Sequence, residues 1–177
     1  QPPLSRKITH LDAEASFRPP GSLRFKGSFG IEGSNVQMTL RGRYSLTEKV
    51  WAVKGTIQQF VLSDLPDELQ QALHFLRKAE GDLSFEAMGD QAGKLSFREI
   101  LFEGMTAFQT QAMTGESRIT LTGDLSILPD KIDPEYHFNG TLEGGTFQIP
   151  LLKKPLEETR GTLILKKDEL LMEEIES

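Results

Sequence analysis

The chain has 177 residues, is 37% hydrophobic and 26% charged, carries a net charge of −6 and contains no cysteine. This is a globular composition at single-domain size, and the missing cysteines exclude a disulfide framework, a structural zinc–thiolate centre and a Cys nucleophile. The acidic balance speaks against nucleic-acid phosphate as the main partner. No apolar run approaches the roughly 20 residues of a membrane-spanning helix. The chain starts at Gln1 with no signal-peptide pattern, so we expect a processed chain or a piece of a longer one.

Alternation with a period of two dominates from the start. Leu11, Ala13, Ala15 and Phe17 share one side of a first run, with Asp12, Glu14 and Ser16 between them. Leu23, Phe25, Phe29 and Ile31 repeat the pattern against Arg24, Lys26 and Ser28. Val36, Met38, Leu40 and Tyr44 alternate with Gln37, Thr39, Arg41 and Arg43. Trp51, Val53 and Ile57 follow, and the phase slips at Gln58-Gln59 to pick up Phe60 and Leu62. A one-residue slip sends every later side chain to the other face, so a β-bulge or strand end is expected there. Turn signals separate the runs at Pro19-Pro20-Gly21, Gly33-Ser34-Asn35 and Thr47-Glu48-Lys49. Half-apolar strands joined this way read as an antiparallel meander with one wet face.

The next stretch changes period. Leu65, Leu69, Ala72, Leu73 and Leu76 recur at helical spacing, Ser63 or Asp64 can cap the start, and Gly81 can end it. One amphipathic helix near 64–78, a helical insertion over 63–80, is therefore predicted. Strands then resume through Leu83, Phe85 and Ala87, through Leu95 and Phe97, and, after a further slip, through Ile100 and Phe102. Ile119 to Ile127, Tyr136 to Leu142, Phe147 and Ile149, Leu163 and Leu165, and finally Leu170 and Met172 complete the series. Met105 to Gly115 reads as either strand or loop.

The predicted class is thus all-β: a long antiparallel meander with one helix. Some ten apolar strand faces and one helix pose a packing problem, because a helix about 10 Å wide covers few strands spaced about 4.8 Å apart. A closed barrel or a two-layer sandwich would bury the rest internally. A strongly curved, U-shaped sheet would leave an apolar groove, the kind of surface that binds lipid or protein. Eleven Phe against two Tyr and one Trp favour a dry lining over a carbohydrate cleft.

Side chains that carry chemistry are scattered. His10, His74 and His137 lie in separate segments without metal-ligand spacing, and His10-x-Asp12 reads as a solvated pair. Glu143-Gly144-Gly145 lacks the ending and context of a phosphate loop, and no Ser stands in a nucleophile elbow. Neither an enzyme nor a metal or other cofactor is expected. Arg24, Lys26, Arg41 and Arg43 fall on the polar faces of adjacent strands, where they either meet phosphate groups or keep the sheet soluble.

Three phrases carry a resemblance. Phe138-Asn-Gly-Thr-Leu-Glu-Gly-Gly-Thr-Phe-Gln-Ile-Pro150 is followed by Pro155-Leu-Glu-Glu-Thr-Arg-Gly-Thr-Leu-Ile-Leu165 and Glu169-Leu-Leu-Met-Glu-Glu-Ile175. Together with the rhythm of Val36 to Leu65 and the opening Pro3 to Asp12, this resembles the AsmA-like superfamily of bacterial envelope proteins. The resemblance implies a single β-groove domain over 1–177, with 150–177 opening a further repeat. It implies a periplasmic location within a parent protein anchored in the inner membrane, and a non-enzymatic role in lipid transport or outer-membrane biogenesis. Its partners would be phospholipid or another acyl lipid, neighbouring repeats of the parent chain and envelope proteins, with no nucleic acid. The groove lining expected on this reading is Phe25, Phe29, Ile31, Val36, Met38, Leu40, Trp51, Val53, Leu83, Phe85, Leu95, Phe97, Ile119 and Leu121. The alternative is a structural β-sandwich module that docks a partner protein during envelope assembly.

Overall fold

A computed structural model describes residues 8–31, 36–64, 70–71, 73–128, 131–167 and 169–177. Alternating apolar residues form ten strands: β1 (Ile8–Arg18), β2 (Ser22–Ile31), β3 (Gln37–Ser45), β4 (Val50–Val61), β5 (Leu76–Gly89), β6 (Leu95–Gln109), β7 (Thr114–Leu128), β8 (Lys131–Gln148), β9 (Leu156–Lys166) and β10 (Glu169–Glu176). They pair in strict chain order from β1 to β10, every pair antiparallel, and the sheet is not closed. The predicted all-β meander is therefore the observed one.

Both predicted slips are bulges. The β4–β5 register shifts between Ile57 and Phe60, with Gln59 at φ 56° and its amide donating to the Asp82 carboxylate at 3.1 Å. The β6–β7 register shifts between Phe97 and Ile100, with Glu99 at φ 50°. Glu143-Gly144-Gly145 is a further bulge, Gly144 taking φ 65°, a conformation that glycine adopts without steric cost. The ambiguous stretch around Met105 resolves into the end of β6, a turn and the start of β7. In that turn the Thr110 hydroxyl accepts hydrogen bonds from the amides of Ala112 (3.2 Å) and Met113 (3.0 Å).

The helix expected near 64–78 is corrected over its second half. Leu62–Asp64 forms a 3₁₀ turn, residues 70–71 are helical, 73–75 turn, and β5 begins at Leu76. Residues 65–69 and 72 lie outside the described residues. Leu73 lies in the turn and Leu76 opens β5, and both pack on the core, so their three-residue spacing comes from a turn leading into a strand rather than from one helix face. Gly81, expected to end the helix, lies inside β5, where a side-chain carbon would meet the Gly104 Cα of β6 at 2.6 Å.

Backbone pairing joins only strands adjacent in sequence, while core rings also meet across an intervening strand, as Phe108 of β6 does with Phe147 of β8. The core lies on one face of the sheet and centres on β4 to β9. Phe60, Phe102, Phe108, Ile119, Leu142, Phe147, Leu163 and Leu165 are buried there. Glycines on this face make room for rings from the neighbouring strand: Gly42 lies beneath Phe25, Gly89 beneath Trp51 and Gly115 beneath Phe147. A Cβ at any of these would collide with the ring, so large and absent side chains alternate across the rungs.

Candidate functional site

Register decides which residues share the apolar face. One rung runs Phe29, Met38, Ile57, Leu83, Phe102, Leu121, Gly140, Leu163 and Met172 across β2 to β10. A second runs Phe25, Gly42, Val53, Ala87, Phe97, Leu125 and Tyr136. Leu40 and Phe85 flank Gly55 on a third, Trp51 and Leu95 flank Gly89 on a fourth, and Ile119 stands opposite Gly104 and Leu142 on a fifth. The predicted lining residues within these ladders therefore occupy one face. Val36 precedes β3 and is buried at 3% exposure, and the side chain of Ile31 lies outside what the structure describes.

Burial divides the set. Val36, Ile119 and Leu121 are buried, whereas Phe25, Phe29, Met38, Leu40, Trp51, Val53, Leu83, Phe85, Leu95 and Phe97 are half-buried. A single layer explains the difference. The β2–β4 part of the face has no second layer over it among the described residues, while Leu62, Leu73 and Phe75 of the return from β4 to β5 pack against the β4–β9 part. In that return Leu62 and Phe75 are buried, and Phe75 C=O accepts from the Gln109 amide at 2.9 Å.

Two hollows mark the face. The first, about 150 Å³, is lined from β4 to β9 by side chains that include Phe60, Ile100, Phe102, Tyr136, Phe138 and Leu165, with Leu62 and Leu73 from the return segment. Thr106 and Tyr136 are its only residues with polar side-chain atoms; the rest of the lining is hydrocarbon. The second, about 230 Å³, lies toward β1 and is lined by Ala13, Ala15, Phe25, Phe29 and Leu40 together with Glu14 and Lys26. Of the predicted lining, Leu83, Ile119 and Leu121 reach the first hollow and Phe25, Phe29 and Leu40 the second.

Sequence reasoning missed three buried lining residues, Phe60, Ile100 and Phe102. Each comes just after a slip in phase, and the slip is the signal that could have found them. A bulge re-aims the strand beyond it, and here it carries these rings onto the covered end, where Phe60 and Phe102 meet edge to face at 5.9 Å. The face also holds a rung of hydroxyls. Thr106 stands opposite Ser117, and Thr159 opposite Gly145, which packs on Ser117. Ser117 donates to the Arg118 carbonyl at 3.0 Å, whereas the buried Thr106 and Thr159 hydroxyls have no hydrogen-bond partner.

Among the described residues no group of three His, Asp or Glu side chains could hold a metal ion, and no helix is long and apolar enough to cross a membrane. His10 sits in the β1 bulge at φ 52° and is exposed, as is Asp12. No protein-family model, curated protein or solved structure matches the chain.

Proposed function

We propose that this domain is a non-enzymatic segment of a cell-envelope protein that holds acyl lipid along the apolar face of its sheet. One observation carries the reading: an apolar face whose Phe29-to-Met172 rung crosses β2 to β10 without an ionisable side chain, with a hydrocarbon-rich hollow over β4 to β9 and a second at β1 to β3 that Glu14 and Lys26 border. We take the sheet as strongly curved. Six strands laid flat span about 24 Å, yet residues from β4 to β9 line one hollow of about 150 Å³. Bending the strands around the hollow reconciles the two figures.

On this reading the chemistry is hydrophobic transfer. Each methylene moved from water onto the face contributes roughly 0.8 kcal/mol, with no directional contact required. Head groups stay at the open side, and a chain can slide from one half-buried ring to the next. The AsmA-like resemblance supports a periplasmic setting in a parent protein anchored at the inner membrane. Phospholipid or another acyl lipid is then the cargo, and neighbouring repeats and envelope proteins are the partners.

The test is lipid content. Native mass spectrometry of the purified domain should reveal bound acyl species, and a fluorescent fatty acid should be taken up. Phe29→Asp and Phe97→Asp should weaken uptake while the domain stays folded, because both rings are half-buried. A lipid-free domain that takes up no fatty acid would sink the proposal. The alternative, docking of a partner protein in envelope assembly, draws support from the sheet edges: Leu11 and Phe17 on β1 are 66% and 58% exposed, and Leu171 and Ile175 on β10 are 36% and 39% exposed. Edge strands with exposed apolar side chains are templates for pairing with another chain.

A further inference from the structure

The opposite face of the first strands carries a charge at odds with the rest of the chain. Residues 1–61 hold nine basic and four acidic side chains, and residues 62–177 hold eleven and twenty-two, so a net charge of +5 precedes one of −11. Register gathers the positive part on the polar face of β2 to β4. Arg24 stands directly opposite Arg43, and Arg41 stands between Lys26 and Lys54. Lys26 pairs with Glu14 of β1 at 3.0 Å and Lys54 with Glu86 of β5, which balances the two flanks of that rung. Among the described residues no ion pair engages Arg24, Arg41 or Arg43, and all three are exposed.

Like charges directly opposite each other on a sheet are destabilising. A counter-anion from outside the chain relieves that repulsion. The rim of the patch adds a second observation. Leu46, in the turn between β3 and β4, is 51% exposed, Val50 at the start of β4 is 37% exposed, and Met88, on the Arg24–Arg43 rung, is 41% exposed. Exposed apolar side chains among basic ones match a bilayer interface, where hydrocarbon enters the head-group layer and guanidinium groups meet phosphate. A nucleic-acid surface of this kind would use aromatic side chains to stack bases. The polar face of β2 to β4 carries none: its outward positions are Ser, Arg, Lys, Thr, Gln, Val, Ala and Gly.

We propose that the polar face of β2 to β4, with Leu46 and Val50 at its rim, docks the domain on an anionic phospholipid surface through Arg24, Arg41 and Arg43. The docking face is the reverse of the apolar face and does not depend on lipid being held there. Flotation of the 177-residue chain with vesicles tests it, comparing phosphatidylcholine alone with phosphatidylcholine mixed with phosphatidylglycerol. The chain should float with the anionic vesicles only, and added salt should release it. Each basic residue at such a surface is worth about fivefold in affinity, so Arg24→Ala with Arg43→Ala should lower vesicle affinity about 25-fold. Leu46→Asp should lower it as well, whereas Arg118→Ala, an exposed basic residue on β7 outside the patch, should leave it unchanged.

Equal flotation with both vesicle types would overturn the proposal. So would unchanged affinity in the double arginine variant once circular dichroism shows it folded. If that variant does not fold, Lys26→Ala with Arg41→Ala removes two charges from the next rung and is read in the same way. Binding to a DNA or RNA oligonucleotide without binding to anionic vesicles would also overturn it and assign the face to nucleic acid.

Discussion

Phe102→Ala and Phe29→Ala make the same chemical change at two points of one rung, and their comparison measures how far the apolar face is closed. Phe102 is 7% exposed, lines the hollow of about 150 Å³ and meets Phe60 edge to face at 5.9 Å. Removing its ring loses the transfer free energy and enlarges an existing void, a combination that costs about 3–5 kcal/mol. Phe29 is half-buried, four strands away on the Phe29–Met38–Ile57–Leu83–Phe102 rung. Part of its ring already faces water, so its removal should cost about 1 kcal/mol. Four strand spacings are about 19 Å, so the two effects should add to within about 0.5 kcal/mol in the double variant. Urea unfolding provides the assay, read as a shift in midpoint at constant m value. Equal losses of about 3 kcal/mol or more at both sites would refute the reasoning, because they would mean that the β2 end is packed as tightly as the centre.

Two further expectations follow from single contacts. Gly42→Ala would place a Cβ 2.8 Å from the Ala52 carbonyl oxygen and against the Phe25 ring. Overpacking should outweigh the gain in backbone stiffness and lower stability by about 1–2 kcal/mol in thermal melts, and a more stable variant would contradict the reading of the glycine–ring pairs. Thr159→Val removes a buried hydroxyl that has no partner at nearly constant shape and should raise stability by about 1 kcal/mol. A loss of stability in urea unfolding would show that the hydroxyl is satisfied in solution.

Strand identity and phase were legible because one face is apolar and the other wet, so a period of two marks every strand. The same logic exposed the bulges after Ile57 and Phe97, since a bulge is a change of phase. It failed at Leu73 and Leu76, where a turn running straight into β5 spaced two core-facing leucines three residues apart, as a helix would. The candidate site divided along similar lines. Phe25, Phe29 and Leu40 were found from alternation alone. Phe60 and Phe102 were passed over because each follows a bulge, beyond which the alternation counted so far no longer says which face a ring takes. The pairing of Arg24 with Arg43 also needed the register of β2 against β3, which the alternation within either strand does not supply.

Chain-order pairing gives the sheet the character of a ruler. Backbone hydrogen bonds tie each strand only to those that flank it in sequence, so the array is one-dimensional in its pairing. A hairpin inserted between two others, or lost from one end, changes the length of the apolar strip by about 10 Å and leaves the remaining rungs as they were. Strip length is therefore set by counting hairpins, and it can drift over evolutionary time without a new core having to be built at each step.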